Sequence, residues 1–162
     1  NNFGPYQFPE KFIPLSILKA FKGEKIPLYG DGSNIRDWLF VEDHIDAILL
    51  VALKGKIGES YCIGGYGEKT NKEVLNSVCN LMDKYYPKSY SHLSLIKNVK
   101  DRPGHDQRYA IDSSHIKKEL GWMPKIDFDQ GILITLKWYL ENIDWCNKVL
   151  KKSGYSGDRL GN

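Results

Sequence analysis

Arginine is scarce in this chain of 162 residues: Arg36, Arg102, Arg108 and Arg159 are the only four among 23 basic side chains. Cysteine is scarce too. Cys62, Cys79 and Cys146 are isolated and odd in number, which speaks against a disulfide framework or a zinc knuckle and fits a reducing, cytoplasmic setting. The longest apolar run, near Ala47 to Leu53, falls far short of the roughly twenty residues that span a bilayer. No signal-peptide pattern opens the chain, so a soluble protein is expected. The net charge of +3 comes from interspersed lysines and acids, without the basic stripe that duplex nucleic acid requires. Repeats and low-complexity segments are absent. The first residue is Asn1, not methionine, and Asn1-Asn2-Phe3-Gly4-Pro5-Tyr6 reads like the middle of a segment already under way. A fragment or a processed product is expected.

What is present suffices for one compact domain: 41% of residues are apolar and 12% aromatic, enough to build a core. Pro9, followed by Phe12, Ile13, Ser16, Ile17 and Phe21 and closed by Gly23, predicts a helix over 9–22. Residues 26–29 and 35–41 have strand composition, and Gly30-Asp31-Gly32-Ser33-Asn34 between them predicts a tight hairpin loop. Asp43 has the composition of a cap for a helix ending at Gly55, and a strand is expected at 60–63 before Gly64-Gly65. Thr70 and Glu73 form a capping-box pattern ahead of a helix to residue 86. Further on, a strand is expected at 93–99, a short helix capped by Asp112 ends at Leu120-Gly121, and Asp127 with Gln130 opens a helix over 127–142. The tail from Lys151 to Asn162 reads as a loop. The pattern is α/β.

Three of the four arginines sit in two polar clusters. A guanidinium grips a phosphate bidentately where an ammonium cannot, so rare arginines in motif-like segments suggest diphosphate contacts. The first cluster runs from Tyr29 to Trp38 and includes Arg36; it reads equally as a hairpin with a surface Arg36–Asp37 pair. The second, Asp101 to Tyr109, is nine residues almost without apolar content, either a binding loop or a solvated Pro-Gly turn. His105 has no partner at metal-ligand spacing, so no metal site is expected. Tyr6, Phe12 and Tyr29 fit a base-stacking role or a place in the core. Glu42-Asp43-His44 resembles an acid–base group, but capping by Asp43 explains it more simply.

Several motifs carry a more specific resemblance. Asn1-Asn2-Phe3-Gly4-Pro5-Tyr6, Pro9-Glu10-Lys11, Gly30-Asp31-Gly32 through Arg36-Asp37-Trp38 to His44, Tyr61-Cys62-Ile63-Gly64-Gly65 and Asp101 to Tyr109 stand in this order and spacing in the dTDP-glucose 4,6-dehydratases. These belong to the extended short-chain dehydrogenase/reductase family. Leu120-Gly121-Trp122-Met123-Pro124 and Trp138-Tyr139 extend the resemblance almost to the end of the chain. The closing motif is common across the larger family, whereas Arg36-Asp37-Trp38 and Arg102-Pro103-Gly104-His105-Asp106 are particular to the dehydratases. Cys62, where asparagine is usual, and Phe12, where leucine is common, are small departures.

The resemblance implies the carboxyl-terminal part of such an enzyme. A small substrate domain is expected, with residues of about 35–73 crossing back to complete the Rossmann sheet of an absent amino-terminal domain. It implies a nucleotide-sugar site lined by Asn1, Lys11, Phe12, Pro27, Leu28, Tyr29, Arg36, Asn71, Asp101, Arg102, Pro103, Gly104 and His105, with Asn2 approaching NAD. Members of this family are lyases of deoxysugar biosynthesis. They convert dTDP-glucose to dTDP-4-keto-6-deoxyglucose by NAD-mediated oxidation, water elimination and hydride return, and the full enzyme is expected to be a homodimer. The glycine-rich dinucleotide fingerprint, the Tyr-x-x-x-Lys pair and the Asp-Glu acid–base pair do not occur in this sequence. No catalytic residue is therefore assigned, NAD is expected to be held mainly by the amino-terminal half, and the isolated chain is expected to be inactive. The alternatives are a free-standing, non-catalytic nucleotide-sugar-binding protein and a fragment of a UDP-sugar dehydratase or epimerase.

Overall fold

Residues 1–101 and 103–154 are described by a computed structural model. The elements run in the order β1 (Asn2–Phe3), α1 (Phe12–Lys22), β2 (Ile26–Tyr29), β3 (Ile35–Asp37), β4 (Leu39–Phe40), α2 (Val41–Lys54), β5 (Glu68–Thr70), α3 (Asn71–Tyr85), β6 (Ile96–Val99), β7 (Arg108–Tyr109), α4 (Ser114–Leu120), α5 (Phe128–Glu141) and α6 (Ile143–Ser153). The fold is α/β, with its strands in three small sheets.

The helices follow local signals. α1 ends where Gly23 turns left-handed at φ 73°. α3 opens with a complete capping box, in which Thr70 accepts from the Glu73 N–H and the Glu73 carboxylate accepts from the Thr70 N–H. Asp127 accepts from the Gln130 N–H to start α5. Their apolar faces meet in one core: Ile13, Ile17 and Ala20 of α1, Val74, Leu75, Val78 and Met82 of α3, and Ile132, Leu136 and Tyr139 of α5. Phe3, Phe40, Ile26 and Leu28 reach the same core from the strands. Gly131 lets α5 pass close to the strands, since a Cβ there would stand 2.8 Å from the Phe3 ring.

Six local expectations are corrected. The loop at 30–34 does turn, with Asp31 accepting from the Ser33 N–H (2.9 Å), but it does not close a hairpin. β2 instead pairs in parallel with β6, and β3 lies between antiparallel β5 and parallel β7. The strand composition of 35–41 is divided, with β4 pairing in parallel with β1 and α2 beginning at Val41. Asp43 lies inside the first turn of α2 and caps nothing; it is buried and accepts from the N–H groups of Lys125 (3.1 Å) and Ile126 (2.9 Å). Residues 60–63 form no strand, because no described strand offers them a ladder. Residues 92–95 are a 3-10 turn before β6, and residues 151–153, expected in a loop, continue α6. Arg102 and residues 155–162, Arg159 among them, lie outside the described residues.

Candidate nucleotide-sugar site

A cavity of about 650 Å³ runs between α1 and the β2–β6 ladder. Its floor follows from the two-residue period of a strand. Ile26 and Leu28 are buried in the core, so Pro27 and Tyr29 face the other way, and the parallel register sets Lys97 beside Pro27 and Val99 beside Tyr29. Its wall follows from helical spacing: Lys11 ahead of α1, then Phe12, Leu15, Ser16 and Lys19, line the opposite side. Phe12 stacks on Trp38 with centroids 6.2 Å apart and planes at 27°.

Arg36, Asn71, His105 and Asn1 line the same cavity. Arg36 is 6% exposed; its terminal nitrogens donate to the carbonyls of Ile35 (2.6 Å) and Asp106 (2.8 Å). Among the described residues it forms no ion pair. The surface Arg36–Asp37 pair is thereby overturned. Strand alternation turns the two side chains apart, and the buried Asp37 carboxylate accepts from Gly65 N–H (2.8 Å) and Gly67 N–H (3.0 Å). Asn71 is the first residue of α3. The neighbouring backbone N–H groups are already taken, Asn71 donating to Asn34 (3.0 Å) and Lys72 to Gly32 (3.0 Å), so Asn71 brings its side-chain amide. Asp101 accepts from His105 Nδ1 at 2.8 Å and holds the imidazole at the cavity.

The polar loop is not a solvated turn throughout. Its second half is bound to β3 through Ile35 N–H to Gln107 (2.8 Å) and the Asn34 amide to Asp106 (3.2 Å). Arg108 forks onto Glu68 at 2.8 and 2.7 Å, which lowers the Glu68 carboxyl below its ordinary range. Pro103 and Gly104 form an exposed turn and do not line the cavity. Leu28 also does not, its side chain being buried. Tyr6 stands apart on Trp138 (4.5 Å) and Trp145 (5.6 Å).

A second cavity of about 420 Å³ is lined by Asn1, Asn2, Asp37, Leu39, His44, Tyr61, Ile63, Gly64 and Ile111. The Asn2 amide is hydrogen-bonded to His44 Nδ1, and burial lowers the His44 pKa from its ordinary value. Beside it, the Gly64–Gly67 backbone is an anion cradle already filled by Asp37. Reasoning from sequence missed Glu10, Leu15, Ser16, Lys19, Lys25, Trp38, Lys97 and Val99 in the first cavity. The helical spacing of 12, 15, 16 and 19 could have revealed part of the wall; the floor required the β2–β6 pairing.

The protein family described as GDP-mannose 4,6 dehydratase matches residues 1–135. A dTDP-glucose 4,6-dehydratase from Xanthomonas campestris pv. campestris is 52% identical over 163 residues, which is 99% of this chain and 46% of that relative. The chain thus spans less than half of that relative's length. A solved dTDP-glucose 4,6-dehydratase from Bacillus anthracis, in complex with NAD, is 47% identical with a TM-score of 0.82, covering 92% of this chain and 45% of that one. A second, from Streptomyces venezuelae and solved with NAD bound, is 41% identical with a TM-score of 0.85, covering 92% and 44%. The fold is that of part of an extended short-chain dehydrogenase/reductase. By its match over residues 1–135, the chain belongs to the GDP-mannose 4,6 dehydratase family, with dTDP-glucose 4,6-dehydratases among its relatives there.

Proposed function

We propose that this chain is the nucleotide-sugar-binding part of a dTDP-glucose 4,6-dehydratase, the lyase that converts dTDP-glucose to dTDP-4-keto-6-deoxyglucose. One observation carries the reading: the buried Arg36 guanidinium fronts the cavity with no carboxylate paired to it among the described residues. A buried charge needs a counter-charge. Lys11, ion-paired with Glu10 (2.9 Å), and His105 line the same cavity and add two further donors, and a diphosphate supplies the anion that all three suit. Phe12, Pro27 and Tyr29 then offer flat surface to a base and sugar.

NAD supplies a hydride acceptor and donor when bound. Asn2 and the second cavity suit an edge of that cofactor, whereas the filled Gly64–Gly67 cradle does not suit its pyrophosphate. In this reading most cofactor contacts come from an amino-terminal half, to which residues of about 35–73 cross over. The exposed apolar residues of α2, Ile45, Ile48, Leu49 and Leu53, support such a contact. The full enzyme would be a homodimer, and the chain by itself inactive, since the family's Tyr-x-x-x-Lys and Asp-Glu pairs do not occur in it.

Calorimetric titration of the chain with dTDP, UDP and NAD tests the site. We expect dTDP to bind most tightly and Arg36→Ala to weaken it at least about tenfold, as for the loss of a charge-assisted hydrogen bond. Unchanged dTDP affinity in a folded Arg36→Ala variant would exclude the diphosphate role.

A further inference from the structure

Arg36 and Tyr109 stand side by side in the parallel register of β3 and β7. The Tyr109 ring lies under the guanidinium, 4.6 Å from its central carbon. The ring is itself held, because the Tyr109 hydroxyl donates to the Asp106 carboxylate, and the Asp106 carbonyl accepts from Arg36 at 2.8 Å. A long guanidinium side chain loses much rotamer freedom when it is fixed, so a site that needs it in one place must hold it before the ligand arrives. A carboxylate would hold it but would also neutralise it. A π face and two carbonyls hold it and leave its charge for an incoming anion. Two of the five guanidinium N–H groups are occupied by the carbonyls of Ile35 and Asp106.

We propose that Tyr109 is a positioning residue: with the Asp106 carbonyl, its ring holds the Arg36 fork toward the cavity so that the fork meets a diphosphate already oriented. The proposal rests on the nucleoside-diphosphate reading of that cavity. It also gives the exposed end of the 101–109 loop a part in binding, although Tyr109 does not line the cavity.

The test compares the wild-type chain with Tyr109→Leu, which removes the π face, and Tyr109→Phe, which keeps it. Affinities for dTDP and for thymidine, which has no phosphate, are measured by calorimetry. The Arg36 Nε–H resonance, which the ring current of Tyr109 is expected to displace, is followed by NMR. Tyr109→Leu is expected to weaken dTDP about tenfold while leaving thymidine unchanged, and Tyr109→Phe, which keeps the π face but loses the hydroxyl tie to Asp106, to weaken it by a smaller factor of about two to three. The Arg36 resonance should move to an unshielded position in Tyr109→Leu only. Equal losses for dTDP and thymidine would show a merely structural role and overturn the proposal, as would a Tyr109→Leu chain with wild-type dTDP affinity. If the wild type bound no dTDP, the nucleotide reading would fail on its own. The resonance would then decide the clamp, its retention in Tyr109→Leu overturning it and its loss supporting it.

Discussion

The Asp43 carboxylate accepts two backbone hydrogen bonds, from Lys125 at 3.1 Å and Ile126 at 2.9 Å, across more than eighty residues of sequence. It joins the first turn of α2 to the segment that leads into α5. Replacing it with alanine removes both acceptors and leaves the donors without partners in a partly buried setting, at about 1–2 kcal/mol each. Asp43→Ala is therefore expected to lower unfolding stability by about 2–4 kcal/mol, and Asp43→Asn, which keeps one acceptor oxygen, by about half of that. Urea denaturation measures both. If Asp43→Ala unfolded at the wild-type midpoint, the tether would be ornamental. In the sequence, an Asp one residue into Glu42-Asp43-His44 reads as a cap because capping partners are local; its true partners become visible only when the chain has folded back.

The same division between local and distant information governs the elements. α1, α3 and α5 were legible because amphipathic spacing and capping residues lie within one segment. The turn at 30–34 was legible for the same reason. Strand partners were not: β2 pairs with β6 about seventy residues away, and no turn residue records that choice. The candidate site inherits this limit. Arg36 and His105 stand in motif-like segments, but Lys97 and Val99 join the cavity only through the β2–β6 register. α2 breaks the ordinary rule in another way, since Ile48, Leu49 and Leu53 at helical spacing are 49%, 55% and 82% exposed, while Ala47 on another face is buried in a small cluster with Leu39, Ile116 and Trp122. Such a stripe should bind a hydrophobic dye and promote self-association. A Leu49→Lys, Leu53→Lys double variant is expected to reduce both, while stability changes by no more than about 0.5 kcal/mol per site. Marked destabilisation of that variant would mean that the stripe packs against the chain's own core.

At the scale of the whole molecule, the first cavity is a junction rather than a feature of one element. Its lining comes from α1, from both strands of the β2–β6 sheet, from β3 of the three-stranded sheet and from the first residue of α3. The two sheets share no strand, so a ligand spanning the cavity would link parts that the backbone ladders leave separate. Ligand that binds only the folded chain stabilises it by about 2.7 kcal/mol at a hundred times its Kd. For a chain of this size each kcal/mol raises the melting temperature by roughly 2–4 °C. Saturating dTDP should then raise Tm by about 5–10 °C, measured by differential scanning calorimetry. Arg36→Ala at the same dTDP concentration should show a much smaller rise. Hydrogen exchange should slow on α1 and on the β2–β6 ladder together, because one ligand bridges both. A rise of Tm with protection confined to the 101–109 loop would place the nucleotide elsewhere, and equal rises for the wild type and Arg36→Ala would detach its binding from the buried guanidinium.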